Sequence, residues 1–141
     1  MSDALYSATS TAWGGREGRV VSSDERLDLQ LSIPAAIGGD DGPGTNPEQL
    51  FATGWAACFH SALKLVARQQ KADVSESAVS VTVGLVMNAE GAIDITGRIE
   101  AELPGLDHAT ASALVDEAHK VCPYSRATRG NIAVEVSCVE P

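Results

Sequence analysis

The stretch TNPEQLFATGWAACFHSALKLVARQQ, residues 45–70, contains the strongest helix signal in the chain. Asn46 is a suitable N-cap, Pro47 is a suitable first helical residue, and Gln49 stands three positions after the cap, as in a capping box. The stretch has no proline after Pro47 and becomes polar only at its end. We predict a helix from Pro47 to about Gln70. Because its first half is apolar nearly all round, we expect other structure to enclose it.

The residues before this helix are typical of strands and turns. The segments LYSATSTAW, RVVSS and RLDLQLSI, with the turn GGREG after the first, predict an antiparallel meander over residues 5–33. In its last segment the apolar residues Leu27, Leu29, Leu31 and Ile33 alternate with polar ones, as in a strand with one buried face. The stretch PAAIGGDDGPG, residues 34–44, predicts an exposed loop.

The residues after the helix complete an α+β pattern. The segments VSVTVGLVM and AIDITGRIEAEL, joined by NAEG, predict a hairpin, and DHATASALVDEAHKVC predicts a second, shorter helix. In the closing strand NIAVEVSCV the residues Ile132, Val134, Val136 and Cys138 share one face, so Cys138 is interpreted as a packing residue. The order of elements indicates one α+β domain, residues 1–141, with an antiparallel sheet.

Composition limits the classes of function. A chain of 141 residues with 44% hydrophobic content suits one domain, and a net charge of -9 disfavours nucleic acid and anionic membranes as partners. The N-terminal sequence lacks a secretory pattern and no window approaches the roughly 20 apolar residues of a membrane span, so we expect a cytoplasmic protein with reduced thiols. The three cysteines and three histidines have no metal-ligand spacing, so we expect no metal site. We also expect no bound cofactor.

Cys58, in the middle of the apolar helix, is the first candidate for chemistry. Core packing is the ordinary interpretation of a buried cysteine. The residues three, four and seven positions away on the helix are apolar, which raises a thiol pKa and reduces its reactivity. A functional Cys58 therefore requires a cation from elsewhere in the fold. The positions of that apolar wall are Phe51, Gly54, Trp55, Ala62 and Leu65.

The chain has only ten Lys and Arg residues, so few cations are available. Arg16 lies at the tip of GGREG, where flanking glycines free the backbone to direct a side chain into a cleft; a solvated turn residue is the ordinary alternative. Arg126 and Arg129 follow Cys122 in KVCPYSRATRGN. Cys122 ends a predicted helix directly before Pro123, at a break where we expect the thiol to be accessible; C-terminal packing is its ordinary alternative.

Three blocks of this sequence, LYSATSTAWGGREGRV, GTNPEQLFATGWAACF and VCPYSRATRGNIAV, together resemble the organic hydroperoxide resistance (Ohr) proteins of the Ohr/OsmC superfamily. These are thiol peroxidases that reduce organic hydroperoxides to alcohols. The resemblance implies that Cys58 is the peroxidatic cysteine and Cys122 the resolving cysteine, which condense to a disulfide. It also implies that Arg16 and Glu48 are the family's arginine and glutamate.

The resemblance carries further expectations. It implies an OsmC-like fold in which antiparallel sheets wrap long central helices in an intertwined homodimer, and a dihydrolipoyl group on a partner protein as reductant. Glu48 can orient the guanidinium of Arg16 by a bidentate contact. The apolar wall would then accept the organic part of the hydroperoxide, with Phe51, Trp55 and Tyr124 as substrate-binding residues. The sequence departs from the family where Trp55 replaces a common tyrosine and Arg126 a common asparagine.

Helix geometry bears on the oligomeric state. Glu48 and Cys58 are ten positions apart on the predicted helix, which separates their backbones by roughly 15 Å along its axis. A glutamate side chain cannot close that gap. Either Arg16 bridges most of it within one chain, or Arg16 and Glu48 serve the Cys58 of a second chain. We favour the second arrangement, a homodimer with two composite sites.

Two other functions remain open from the sequence. The first is cysteine-dependent acyl transfer with His60 or His119 as base; it is disfavoured because His60 points away from Cys58 on a helix and no oxyanion-hole motif accompanies it. The second is a module that binds a small apolar ligand or lipid, in which Cys58 only packs.

Overall fold

The chain combines strands and helices in an α+β arrangement, and the computed structural model describes residues 3–141. These elements form two compact units that divide between Leu50 and Phe51, so the predicted single domain contains two parts. The α+β class predicted from the sequence is confirmed. In chain order the elements are β1 (Ser10–Trp13), β2 (Arg19–Ser22), β3 (Asp28–Gln30), α1 (Pro47–Gln69), β4 (Ala78–Met87), β5 (Ile93–Glu102), α2 (His108–Val121), α3 (Pro123–Thr128) and β6 (Val134–Val139).

The first unit contains the predicted antiparallel meander, with strand order β1-β2-β3. Its strands are shorter than predicted: β1 begins only at Ser10, and β3 ends at Gln30. After β3 the chain leaves the ladder: Leu31 donates its N–H to the carbonyl of Gly18 and forms an isolated parallel bridge with Thr45. The loop predicted for residues 34–44 is present and contains one short 3-10 turn, Ala35–Ile37.

Little of the first unit is buried. Among residues 3–50, Leu31 is the one apolar residue that is buried, with 5% exposure. Leu27, on the same predicted face, is 47% exposed. Every residue of β1 is exposed. The predicted single buried face of this segment is therefore only partly formed.

Helix α1 begins at Pro47 and ends at Gln69, as predicted. The side-chain oxygen of Asn46 accepts the backbone N–H of Gln49 at 2.9 Å, which satisfies one of the free donors of the first turn. The reciprocal half of the capping box is replaced by another contact, because the side chain of Gln49 accepts the hydroxyl of Thr45 at 2.8 Å.

One face of α1 is buried and the opposite face is open. The buried residues recur at helical spacing and pack in the core of the second unit: Trp55, Phe59, Ala62, Leu63, Val66 and Ala67. Thr53, Ala57, Lys64 and Leu65 on the opposite side are exposed. The expected enclosure of the helix on all sides is therefore absent within the described part of the single chain.

The hydropathy of α1 differs from the prediction that no window of the chain approaches the apolar length of a membrane span. By length and composition α1 is apolar enough to cross a membrane, with a mean hydropathy of 1.3 over an 18-residue window. The prediction that no window of the chain approaches this character was wrong. The apolar residues responsible include Phe59, Leu63 and Val66, which pack in the core of the second unit.

The second unit contains a three-stranded sheet with strand order β4-β5-β6. The predicted hairpin is confirmed: β4 and β5 are antiparallel, and Met87 lies opposite Ile93 across the turn. The prediction of an antiparallel sheet was wrong for β6, which runs parallel to β5. The reason is the helical connection, because α2 and α3 return the chain to the end of the sheet at which β5 began.

Helix α2 also packs in the core of the second unit. Asp107 caps it by accepting the N–H of Thr110 at 2.9 Å, and Leu114 and Val115 are buried together with Ile99 of β5. On β6, Val136 and Cys138 are partly buried against this core, in agreement with the predicted strand face. Helix α3 was not predicted, although Pro123 stands at its first position, where proline favours a helix start.

Truncation of Leu63 tests the buried face of α1. Leu63 is fully buried, so Leu63→Ala is expected to lower the free energy of unfolding by about 2–5 kcal/mol in urea denaturation. Lys64→Ala on the exposed face is the matched control and is expected to change it by less than about 0.5 kcal/mol. Equal losses in the two variants would contradict the assignment of the buried face.

Candidate active site

Arg16 and Glu48 form a bidentate ion pair within the first unit. The two terminal guanidinium nitrogens donate to the two carboxylate oxygens at 2.8 and 2.6 Å. Arg16 lies in a 3-10 turn, Gly15–Glu17, which follows Gly14. Gly14 and Gly15 have φ values of +77° and +59°, a region that favours glycine. The GGREG segment thus holds Arg16 in a tight turn. Glu48, in the first turn of α1, binds the guanidinium of Arg16.

The ion pair stabilises the charged forms of both partners. The hydrogen bond from Arg16 is the largest cause that lowers the pKa of the Glu48 carboxyl, and burial opposes it. The same hydrogen bond raises the pKa of Arg16. The Arg16 side chain keeps 37% exposure and that of Glu48 keeps 18%. The guanidinium is therefore a fixed cation that still faces solvent in part.

Cys58 and Cys122 are neighbours within the second unit. Cys58 is half-buried on α1 against the core cluster that contains Cys122, and both are free thiols. Burial is the largest cause that raises the pKa of the Cys58 thiol; the backbone N–H of Tyr124, which donates to the sulfur, opposes it, and the adjacent Cys122 thiol adds to the rise. The predicted effect of apolar surroundings on Cys58 is thus present in this conformation.

Cys122 differs from its prediction. An accessible thiol was expected at a chain break, but Cys122 is fully buried. The cause is the junction of two helices: the Cys122 N–H donates to Ala118 of α2, and the Cys122 carbonyl accepts the N–H of Arg126 of α3, both at 2.9 Å. The break predicted at Pro123 is therefore a tight turn between packed helices.

The three aromatic residues named for substrate binding form one cluster beside Cys58. The ring centroids of Phe51 and Trp55 are 5.6 Å apart, and the Tyr124 ring meets Phe51 edge-on at 6.4 Å. Tyr124 is 42% exposed, whereas Trp55 is fully buried. Phe51 and Tyr124 therefore supply accessible surface in this conformation, and Trp55 lies beneath them.

The other cation candidates and the histidines are not part of the aromatic cluster beside Cys58. Arg129 donates to the backbone carbonyl of His119 at 2.6 Å, while Arg126 is exposed and forms no ion pair within residues 3–141. The ring of His60 is engaged with the hydroxyl of Ser77 at 2.9 Å. His119 is partly buried; its Nδ1 has no hydrogen-bond partner among the described residues, and burial lowers its pKa.

No group of three or more His, Cys, Asp or Glu side chains suited to a metal ion occurs in the described part of the chain.

The structure also contains a polar contact that the sequence analysis did not single out. Ser125 of α3 is fully buried and accepts the indole N–H of Trp55 at 3.3 Å. The helix-start signal at Pro123 could have placed Ser125 in the first turn of a helix.

Residues 38–137 match the profile of the OsmC-like protein family. This chain belongs to the OsmC-like protein family. The resemblance to organic hydroperoxide resistance proteins inferred from the three sequence blocks is confirmed. The chain is 52% identical to the organic hydroperoxide resistance protein of Xanthomonas axonopodis pv. citri, and the alignment covers 94% of each chain. It is 44% identical to the organic hydroperoxide resistance protein OhrA of Bacillus subtilis over 99% of this chain and 100% of that one.

Solved structures agree with this family assignment. An organic hydroperoxide resistance protein from Legionella pneumophila matches this OsmC-like chain with a TM-score of 0.91 at 43% identity, over 96% of this chain and 98% of that one. OhrB of Bacillus subtilis matches with a TM-score of 0.87 at 42% identity, over 96% of this chain and 100% of that one. The α+β fold and the sequence family are therefore consistent with each other.

The titration of Glu48 tests the ion pair. Because Arg16 stabilises the carboxylate, we expect Glu48 to titrate below the ordinary glutamate pKa of about 4.3 in carboxyl-detected NMR. The stability that the pair contributes is then present above that pH and is lost as the pH falls through the lowered folded-state pKa. Arg16→Ala is expected to return the midpoint toward the ordinary value.

Arg19→Ala is the matched control, since Arg19 forms a similar bidentate pair with Asp28 in the same unit. It is expected to leave the Glu48 midpoint low. A Glu48 midpoint that is the same in all three proteins would contradict the pairing of Arg16 with Glu48.

Proposed function

We propose that this chain is a thiol-dependent peroxidase that reduces organic hydroperoxides to alcohols and so protects against oxidative stress. The adjacency of Cys58 and Cys122 is the observation that carries the proposal, because a pair of free, neighbouring thiols suits one peroxide reduction followed by disulfide formation. Its relatives named as organic hydroperoxide resistance proteins support a redox role and the class of substrate.

The first step is attack of the Cys58 thiolate on one oxygen of the peroxide. A sulfur–oxygen bond forms and the oxygen–oxygen bond breaks, so the sulfur is oxidised to sulfenic acid and the peroxide is reduced. The departing alkoxide takes up a proton and leaves as an alcohol. Only the thiolate is an effective nucleophile, and burial raises the Cys58 pKa, so the reaction requires a cation near the sulfur.

Arg16 is the proposed cation, with Glu48 as the residue that orients it. The bidentate pair fixes the guanidinium plane and leaves its remaining N–H donors available for the sulfur and the peroxide oxygens. Glu48 also keeps Arg16 ordered at its half-exposed position. Arg126, which is exposed, is not proposed to activate Cys58.

The second step joins the two cysteines. The Cys122 thiol attacks the sulfenic sulfur of Cys58, the sulfur–oxygen bond breaks, and the hydroxide leaves as water with the thiol proton. The resulting disulfide must be reduced by an external dithiol. We propose a dihydrolipoyl group on a partner protein in this role, and no cofactor bound to the chain itself. This chemistry suits the cytoplasm, where thiols are kept reduced.

The aromatic cluster is the proposed contact for the organic part of the substrate. Phe51 and Tyr124 supply apolar surface next to Cys58, and Trp55 supports them from beneath. An alkyl or fatty acyl hydroperoxide would bury apolar area there that hydrogen peroxide lacks. Hydrogen peroxide is therefore the poorer proposed substrate.

We propose that the chain acts as an intertwined homodimer, with Cys58 and Cys122 of one chain served by Arg16 and Glu48 of the other. The thin core of the first unit supports this proposal, because many large apolar side chains stay exposed in the single chain. Burial against a second copy would remove them from water. Apart from Tyr124, which is assigned to the substrate contact, they are Leu5, Tyr6, Trp13, Leu27 and Ile37 in the first unit, and Leu65, Val86, Met87, Ile93 and Val121 in the second.

The two other functions have weaker support. Acyl transfer requires a free base beside Cys58, but His60 is engaged by Ser77. The ring of the other candidate, His119, lies against the buried Phe59, and burial lowers its pKa. A ligand-binding module would leave the thiols unchanged by peroxide, so titration of thiols before and after one equivalent of cumene hydroperoxide distinguishes it from a peroxidase. Turnover of that hydroperoxide with dihydrolipoamide, compared with thioredoxin, tests the activity and the reductant together.

Cysteine substitutions test the assigned roles. Cys58→Ser is expected to abolish turnover. Cys122→Ser is expected to complete one reduction and then accumulate oxidised Cys58, which mass spectrometry detects. Cys138→Ser is the matched control; Cys138 lies on β6, partly buried against the core, so activity is expected to stay intact. Unmodified Cys58 in the Cys122 variant after peroxide would refute the assignment.

Complementation tests the shared site. Cys58→Ser and Arg16→Ala chains are each expected to be inactive, but a heterodimer of the two, made by co-expression, contains one complete site. We expect each heterodimer to have about half the activity of the parent dimer, because one of its two sites is complete.

A mixture of Cys58→Ser with Cys122→Ser is the control for complementation. Both defects then lie on the cysteine side, so neither site is complete and no sustained turnover is expected. Recovery in the control mixture, no recovery in the first mixture, or a monomer in solution would each contradict the proposed composite site.

A further inference from the structure

A buried hydrogen bond links the two helical segments that present the cysteines. The indole Nε1–H of Trp55 donates to the hydroxyl oxygen of Ser125 at 3.3 Å, and both side chains are fully buried. Trp55 lies one turn before Cys58 on α1, and Ser125 lies one turn after Cys122 on α3. The bond therefore joins the two backbones close to both sulfurs.

The donor end of this bond is held rigidly. Gly97 of β5 lies against the far edge of the indole, where an added Cβ would come within 3.0 Å of Cη2 and Cζ3 of Trp55. Phe51 packs against the indole on the α1 side, with centroids 5.6 Å apart. The ring thus fills its space, and its only polar atom is directed at Ser125.

The acceptor, Ser125, lies in the same short helical segment that Cys122 begins as N-cap. The Cys122 carbonyl accepts the N–H of Arg126 at 2.9 Å, and the Ser125 carbonyl accepts the N–H of Arg129 at 3.0 Å. These bonds fix Ser125 and Cys122 in one short helical segment. A shift of Ser125 relative to Trp55 would therefore also shift Cys122 relative to Cys58.

We propose that the Trp55–Ser125 hydrogen bond is the contact that positions Cys58 and Cys122 for disulfide formation. This inference rests on the proposed function only in taking the pair as the one that is oxidised. From the two thiols, closure of the disulfide releases two protons and two electrons, which reduce a disulfide oxidant to its dithiol; from the sulfenic acid of Cys58, closure is a condensation with the Cys122 thiol that releases water. Trp55 and Ser125 are positioning residues, since they act on the geometry of the two sulfurs and contact no substrate.

The thiol–disulfide equilibrium tests the proposal without any peroxide. In a buffer of reduced and oxidised dithiothreitol, Trp55→Phe and Ser125→Ala are each expected to lower the equilibrium constant for Cys58–Cys122 disulfide formation by about tenfold, or about 30 mV. The double variant is expected to be no worse than either single variant, because one bond is removed in each case. Disulfide content is measured by mass spectrometry after acid quenching and thiol alkylation.

Thr128→Val is the matched control. It removes another buried hydroxyl from α3 but leaves the Trp55–Ser125 bond in place. We expect a loss of stability without a change in the disulfide equilibrium. The indole N–H resonance of Trp55 in NMR spectra is expected to shift in Ser125→Ala and to stay in place in Thr128→Val, which verifies that the intended bond was removed.

The proposal is overturned by an unchanged equilibrium in both Trp55→Phe and Ser125→Ala, by additive losses in the double variant, or by an equal loss in Thr128→Val. If Trp55→Phe fails to fold, Ser125→Ala alone decides. A parallel single-turnover experiment with cumene hydroperoxide separates this inference from the proposed function. A parent protein that forms the disulfide in dithiothreitol but does not react with hydroperoxide would refute the function and leave the positioning result intact.

Discussion

Burial of one face of α1 is the constraint on which the second unit depends. Trp55, Phe59 and Leu63 stand four residues apart along the helix and are all fully buried, so they form a continuous apolar stripe in the core. Cys58 stands beside this stripe and is only half-buried. The same packing that holds the helix in place therefore determines how much of the thiol faces solvent and how strongly burial acts on its pKa.

The charged pair and the thiol pair have opposite electrostatic environments. Arg16 and Glu48 stabilise each other's charge, while the surroundings of Cys58 favour its neutral form. A peroxidatic cysteine requires both conditions at once: an apolar surface that suits an organic substrate, and a cation that stabilises the thiolate when the substrate is present. The charged pair belongs to the first unit, and the core of the second unit contains no buried charged side chain among the described residues, so that core avoids the cost of burying a charge.

Local signals in the sequence predicted much of the fold. The cap at Asn46 and Pro47 gave the start of α1, and strict alternation gave the β4–β5 hairpin, because both depend on neighbours along the chain. The direction of β6 depends on the helices that precede it, and the alternating pattern of a strand is the same for either direction. The burial of Cys122 was missed for a related reason: the six-residue helix α3 is too short to show periodicity. Among the site residues, the glycines of GGREG marked Arg16 as a candidate cation, whereas Glu48 came only from the resemblance. The Trp55–Ser125 bond between distant segments had no local signal.

The exposure of the meander has a consequence for how the chain opens locally. The first unit buries little apolar surface around Leu31, whereas Ile99 of β5 lies at the centre of a dense cluster. Backbone amides of β1 to β3 in an isolated chain would therefore exchange with solvent through small local openings, and those of β5 only through global unfolding. The free energy of the fold is unevenly distributed, so the segment that contains Arg16 can open transiently while the core around the cysteines stays closed.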